Sequence, residues 1–205
     1  PERFVNVGVA EQDLMGTAAG LAQAGHVVFA STFTMFAAGR AWEIIRQSIA
    51  YPKFNVKVCP THSGITVGED GASHQAIEDI ACMRVIPGML VLVPADANQT
   101  ARMTEFLAND KRPAYMRLGR ANIETLFDED YTFELGKGYV LKQGQDVCLF
   151  TTGYVTKATL DAAHILEAKG ISTTVVNLPS LKPIDSDLIL SCAQKHKVLF
   201  SVEEH

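Results

Sequence analysis

No Cys-x-x-Cys pair occurs in this sequence. Its four cysteines, Cys59, Cys82, Cys148 and Cys192, stand apart in apolar surroundings. That spacing excludes the common redox motif and thiolate zinc frameworks, and it reads as reduced core thiols of a cytoplasmic protein. There is no apolar run long enough to span a bilayer and no signal peptide, so no membrane is expected as a partner. There is no excess of basic residues. The formal net charge is -5, which gives no electrostatic reason to expect nucleic acid. Internal repeats and low-complexity segments are also missing.

What is present can build a core. With 47% hydrophobic residues, 205 residues suffice for one large or two small domains. Residues 4–9 read as a strand. Residues 11–24 read as a helix with Leu14, Ala18 and Leu21 on one face and Gly25 as its end cap. Strands follow at 27–30, 56–59, 89–93 and 114–118. Helices are predicted at 35–50, at 74–84 and from Asp96 to 108, the last opened by a capping box of Asp96 and Gln99. This alternation predicts a parallel, doubly wound α/β sheet over residues 1–127. The acidic, irregular stretch 128–143, with Asp128-Glu-Asp130, reads as a linker. Residues 144–205 resume the pattern with strands at 147–151, 172–176 and 197–202 and helices at 155–169 and 185–195. A three-stranded parallel sheet with a bare edge makes a poor complete domain, so the second α/β domain is expected to be truncated, and both chain ends look cut.

One stretch organises the rest: Thr61-His-Ser-Gly-Ile-Thr-Val-Gly-Glu-Asp-Gly-Ala-Ser-His-Gln75. It holds two of the six histidines, a Glu-Asp pair and three glycines, at the carboxyl end of a predicted strand. Open α/β sheets bind ligands there. Gly64, Gly68 and Gly71 let the backbone turn sharply and approach other groups closely. On residue types alone the loop is either a solvated connection or a ligand site. Its spacing does not match a zinc site.

Several motifs, in order, resemble those of transketolases. Asn6-Val-Gly-Val-Ala-Glu-Gln12 is similar to the start of the pyrimidine-binding domain of thiamine diphosphate enzymes. The 61–75 loop resembles the transketolase motif His-Asp-Ser-Ile-Gly-Val-Gly-Glu-Asp-Gly-Pro-Thr-His-Gln. The likeness continues through Ile86-Pro-Gly-Met-Leu-Val-Leu-Val-Pro-Ala-Asp96 and Pro113-Ala-Tyr-Met-Arg-Leu-Gly-Arg120, and residues 136–205 resemble the C-terminal domain. The Gly-Asp-Gly…Asn group that holds a divalent ion in the diphosphate half of such enzymes is absent, and Gly68-Glu-Asp-Gly71 is not that motif. The chain therefore resembles the C-terminal subunit of a split transketolase, or a fragment of a full-length one.

The resemblance implies thiamine diphosphate as cofactor, with Mg²⁺ held by a diphosphate-binding subunit or domain that this chain lacks. It implies transfer of a two-carbon ketol unit from a ketose phosphate to an aldose phosphate, in the pentose phosphate pathway. Glu11 matches the carboxylate that bonds the pyrimidine N1′ and favours the imino tautomer, a role that calls for a carboxyl held away from bulk water. Phe33 and Phe36 match the aromatic pocket of the aminopyrimidine. A third aromatic is often found where Gly39 stands, leaving that place either open or filled by Arg40 or Trp42. His62, Asp70 and His74 match residues that meet the sugar. Arg120 matches an arginine that holds its phosphate, which suits a forked guanidinium, and Arg117 is close enough in sequence to take that part. Ser63-Gly64 and Ala72-Ser73 depart from the motif and bear on substrate preference. The resemblance further implies a homodimer with half-sites exposed when the chain is alone. Rival readings are a 1-deoxy-D-xylulose-5-phosphate synthase, against which His62 argues, a 2-oxo-acid dehydrogenase β subunit, which lacks the Gly-Glu-Asp-Gly…His-Gln loop, and a non-catalytic assembly subunit.

Overall fold

The alternating stretches fold into two α/β units, seen over residues 2–204 in a computed structural model. Helix α1 (Glu11–Gln23) leads to β1 (Val28–Ala30). Two π-helical turns, Phe36–Arg40 and Ile45–Ala50, then flank α2 (Trp42–Ile44). The first unit continues through β2 (Val56–Val58), α3 (Asp79–Arg84), β3 (Leu90–Leu92), α4 (Ala97–Asn109) and β4 (Ala114–Met116). The second comprises β5 (Tyr139–Lys142), β6 (Val147–Thr151), α5 (Thr156–Ala168), β7 (Thr173–Asn177), β8 (Ser180–Lys182), α6 (Ser186–Lys195) and β9 (Val198–Val202).

The first sheet has the order β1-β2-β4-β3-β8 and is parallel except for β8. Because successive strand residues face opposite ways, each strand serves two cores. Val56, Val58, Val91 and Tyr115 join Met15 and Ala18 of α1 and Ile45 and Ile49 on one face. Leu90, Leu92, Ala114 and Met116 join Met103 and Leu107 of α4 on the other. Each fully buried Ile or Leu here contributes roughly 1.5–3 kcal/mol. The first core continues into Cys148, Val176, Leu178 and Cys192 of the second unit. A polar node adds to this junction: Gln99 Nε2 donates to Asn177 Oδ1 at 3.1 Å. The second sheet, β5-β7-β6-β9, is parallel apart from β5.

Several expectations need correction. Residues 4–9 form no strand. Asn6 Oδ1 accepts from Gly8 N at 2.8 Å, the chain turns there, and Val9 is 94% exposed, so the apolar run lacks a ladder to join. Helix α1 buries Glu11, Met15, Ala18 and Ala22, one residue round from the predicted face, which leaves Leu14 and Leu21 at its margin. Helix α3 begins at Asp79 rather than at His74, because Gly64 pairs with Ala76 and Gln75 Nε2 donates to the Ile65 carbonyl at 2.9 Å. The stretch 128–143 ends in β5, which pairs antiparallel with β7 and makes the second sheet four-stranded, while β9 stays at its other edge and is exposed over residues 198–201. Strand β8 was not foreseen. The Asp96 cap is present, with Oδ1 accepting from Gln99 N at 2.8 Å, but the Gln99 side chain reaches Ala95 N at 2.7 Å instead of closing the box on Asp96.

Candidate active site at the ends of the first sheet

Parallel pairing of β1 and β2 brings their carboxyl ends together, and the segments leaving them stay in register. Phe33 pairs with Thr61. Thr61 N donates to the Thr32 carbonyl at 2.9 Å, and Thr34 N donates to the Thr61 carbonyl at 2.8 Å. The Thr34 hydroxyl donates to the same carbonyl at 2.9 Å. This sets His62 against Phe33, with ring centroids 3.9 Å apart and planes 16° apart. His62 adopts φ +61°, a left-handed conformation costly for a non-glycine residue and common at functional positions. His74 meets both phenylalanines edge-on, at 5.9 Å from Phe33 and 5.3 Å from Phe36. Phe33 and Phe36 lie nearly parallel, 6.3 Å apart. Two predicted groups, one aromatic and one imidazole, are thus a single cluster.

Glu11 completes it from the start of α1. Its side chain is 6% exposed, and Oε2 accepts from Arg40 Nη1 at 2.7 Å. Arg40 lies over the Phe36 ring, with Cζ 4.8 Å from the centroid. Of the two side chains considered for the place beside Gly39, Arg40 reaches the Phe36 ring, while a Cβ at Gly39 itself would meet Met35 Cε at 3.6 Å. Trp42 turns away, its indole donating to the Cys82 carbonyl at 2.9 Å. Beside Glu11 opens a cavity of about 400 Å³ bounded by Asn6, Gly8, Leu14 and Thr32.

The glycines of the loop do what sharp turns and close approach require, but against the protein's own side chains. Gly64, Gly68 and Gly71 all have φ between +73° and +82°. A Cβ at Gly64 would run into the Glu204 carboxylate, and one at Gly68 would lie 2.6 Å from Arg120 Nη1. Arg120 forks onto Glu69, with Nη1 to Oε2 at 2.7 Å and Nη2 to Oε1 at 2.5 Å, and also donates to the Val67 carbonyl at 2.7 Å. These hydrogen bonds hold the Glu69 carboxyl down at about 2. Asp70, at the end of the same turn, adds its charge beside Arg120. Asp70 and Arg120 therefore form a more exposed group with Glu69, while Glu11, Phe33, Phe36, His62 and His74 form the inner one.

Arg117 does not substitute for Arg120. It is buried beneath the loop, with Nε 2.9 Å from Asp79 Oδ2 and Nη1 3.5 Å from Glu204 Oε2. Tyr115 OH donates to Asp79 Oδ2 at 2.6 Å. Burial and the neighbouring Asp79 charge push the phenol well above its ordinary value. Glu204 Oε1 accepts from Thr66 N at 2.9 Å and from the Thr66 hydroxyl. Residues sequence reasoning missed here are Asp79, Glu204 and Thr34. Arg40 was named only as one of two side chains that could fill the place beside Gly39. Thr66 and Glu204 are 138 positions apart, and no local pattern signals such a pair.

Among the described residues, the one cluster of three metal-binding side chains is Cys148, Cys192 and His196. It is buried in the second unit. Two thiols and an imidazole do not suit Mg²⁺, which takes oxygen ligands. Burial raises the Cys148 thiol to about 12. No helix among the described residues is long and apolar enough to cross a membrane.

Known proteins resemble this chain over its whole length. The family model described as transketolase, pyrimidine binding domain, matches residues 1–125, and that described as transketolase, C-terminal domain, matches 136–205. A solved structure described as a split gene transketolase, inactive β4 tetramer, superposes with a TM-score of 0.93 at 53% identity, over 100% of this chain and 67% of that one. A protein of Methanocaldococcus jannaschii, provisionally named a transketolase C-terminal section, is 49% identical over 100% of this chain and 65% of its own length. A 1-deoxy-D-xylulose-5-phosphate synthase of Caldanaerobacter subterraneus is 35% identical over 100% of this chain and 33% of its own. The chain thus spans less than two thirds of the length of these two curated relatives.

Proposed function

The chain belongs to the transketolase family, and from that premise we propose that it supplies the pyrimidine side of a thiamine diphosphate site. Paired with a diphosphate-binding subunit or domain, it transfers a two-carbon ketol unit from a ketose phosphate to an aldose phosphate, the exchange typical of the pentose phosphate pathway. The observation that carries this reading is the convergence of Glu11, Phe33, Phe36, His62 and His74 at neighbouring strand ends. The cradle also fits the group: a planar, N–H-bearing guanidinium already rests on Phe36 and bonds Glu11. The diphosphate and Mg²⁺ do not fit this chain, and we assign them to the partner.

When bound, the cofactor supplies the carbanion chemistry of the transfer. In this reading Glu11 shares a proton with the ring nitrogen N1′, Phe33 and Phe36 fix the ring plane, and burial of Glu11 keeps water from competing. We assign His62 and His74, which pack against those rings, to the sugar hydroxyls, which they can donate to or accept from. Asp70 binds a hydroxyl, and Arg120 binds the sugar phosphate once Glu69 gives way. The solved relative described as an inactive tetramer supports a chain that self-associates and does not turn over alone. Exposed Phe4, Val5, Val9 and Phe29 are apolar surface suited to such contacts.

A coupled assay with xylulose 5-phosphate and ribose 5-phosphate, with and without the diphosphate-binding subunit, tests the reading. Turnover is expected only in the mixture, and Glu11→Gln is expected to lower it by about 10²-fold or more with the fold intact. Turnover by this chain alone, or near-normal turnover of the variant, would sink it. The 35% identity to a deoxyxylulose-phosphate synthase keeps a second reading in view. Formation of 1-deoxy-D-xylulose 5-phosphate by the same mixture, without ketol transfer, would favour it.

A further inference from the structure

Arg40 stands where the proposed function seats the aminopyrimidine. Its guanidinium carbon is 4.8 Å from the Phe36 centroid, and Nη1 bonds Glu11 Oε2 at 2.7 Å. A guanidinium and an aminopyrimidine ring are both planar and delocalised, each can present an N–H to a carboxylate, and both gain from an aromatic face. Glu11 is nearly sealed while Arg40 is half exposed, so Arg40 is the partner of the carboxylate that water can reach. The arginine extends from the π-helical turn Phe36–Arg40, a wide turn of the kind found at functional positions. Among the described residues, one N–H bond and one ring contact hold the side chain, and half of it faces solvent, so it can swing away.

We propose that Arg40 is a place-holder for the aminopyrimidine. It pairs with Glu11 while the pocket is empty, and it must release that carboxylate before a ring of this chemistry can enter. The inference rests on the cofactor reading above. It adds that cofactor binding is an exchange: the ion pair opens, the ring takes over the bond to Glu11 and the face of Phe36, and the guanidinium moves to water. Arg40 thereby protects Glu11 and the ring face in the unassembled chain and lowers affinity for the cofactor in the assembled enzyme.

The test uses the chain assembled with its diphosphate-binding partner, and thiamine diphosphate with Mg²⁺ as the probe, followed by calorimetry so that turnover is not needed. Arg40→Ala is expected to tighten binding by about tenfold, the combined worth of a partly exposed ion pair and a cation–π contact. Arg40→Lys keeps the charge but not the planar group and is expected to fall between. Guanidinium added below denaturing concentration is expected to compete with the probe in Arg40→Ala far more than in the wild type. In a Glu11→Gln background the Arg40→Ala gain is expected to shrink, since the carboxylate being held is gone. Unchanged or weaker binding in Arg40→Ala and Arg40→Lys, both folded by circular dichroism, overturns the place-holder. No binding of the probe by the assembled wild type overturns the cofactor reading first and the place-holder with it. Normal binding and turnover by Glu11→Gln does the same, so the two failures are distinguishable.

Discussion

Two arginines at the ends of the same sheet meet carboxylates in opposite surroundings. Arg117 is 4% exposed and shares Asp79 and Glu204 with Tyr115 and Thr66, in a cluster sealed beneath the 61–75 loop. Arg40 is 50% exposed and touches Glu11 through a single N–H. The same pairing chemistry does different work in each. In the sealed cluster a lost partner strands a charge in low dielectric, so the arrangement is effectively locked and fixes the loop's path. At the open pair, water can solvate the arginine as it leaves, so the carboxylate can change partners at small cost. Groups that position a site and groups that act in it can be told apart by what breaking them would cost.

Substituting each arginine by methionine breaks the comparison most directly. Arg117→Met leaves two buried carboxylates uncompensated and is expected to cost about 3–5 kcal/mol in urea denaturation. Arg40→Met is expected to cost less than about 1 kcal/mol. Similar losses at both positions would erase the distinction. The pair Arg120–Glu69 is the next case. If Arg120 is exchangeable like Arg40, Arg120→Ala is expected to lower kcat/KM for phosphorylated substrates of the assembled enzyme by about 1.5–3 kcal/mol, through KM, and hardly to touch unphosphorylated analogues. Equal losses for both would make it a loop fastener that acts through Glu69 and the Val67 carbonyl.

The smallest effect concerns a buried cation held by neutral groups. Lys57, fully buried in β2, donates to the carbonyls of Asp110 and Arg112 at 2.7 and 2.5 Å. Burial lowers it to about 8 from 10.5. The folded chain then loses this proton before the unfolded chain does. The cost of burying the charge is present below pH 8 and is relieved as pH rises from 8 toward 10.5. Between pH 8 and 9 Lys57 is expected to contribute a gain of about 1 kcal/mol. Cys59 and Cys148, both raised to about 12 by burial, already take part of it back over that range, because these thiols ionise first in the unfolded chain. Denaturation curves at pH 7, 8 and 9 of the wild type and of a Lys57→Met chain isolate the lysine's share as their difference, and equal pH dependence in the two would assign it elsewhere.

Strands β1, β2, β3, β4, β6, β7 and β9 and helices α1, α4, α5 and α6 fall where hydrophobic patterning put them, because each carries its own apolar period or cap. The misses share a cause. Strands β5 and β8 are short and partly polar, Ser180-Leu-Lys182 in the second case, and exist only because a sheet edge offers them partners. Residues 74–78 have helical composition, but the loop's hydrogen bonds to Gln75 and Ala76 outcompete it.

The sequence by itself determined the α/β class, the strand-end location of the glycine-rich loop and the residue types of the candidate site, since those follow from local periodicity and from motifs read along the chain. It left open whether Arg40 or Trp42 would reach the aromatic pocket, which of two arginines was free, and what the close-approach glycines were close to. Only the tertiary structure decided these: Arg40 on Phe36 and Glu11, Arg117 sealed and Arg120 paired at the surface, and Glu204 folded back onto Gly64 and Thr66. The reason is physical. Burial and partnership of a charged side chain depend on groups far away in sequence, and one residue type yields a fixed strut or an exchangeable contact according to how much water reaches it.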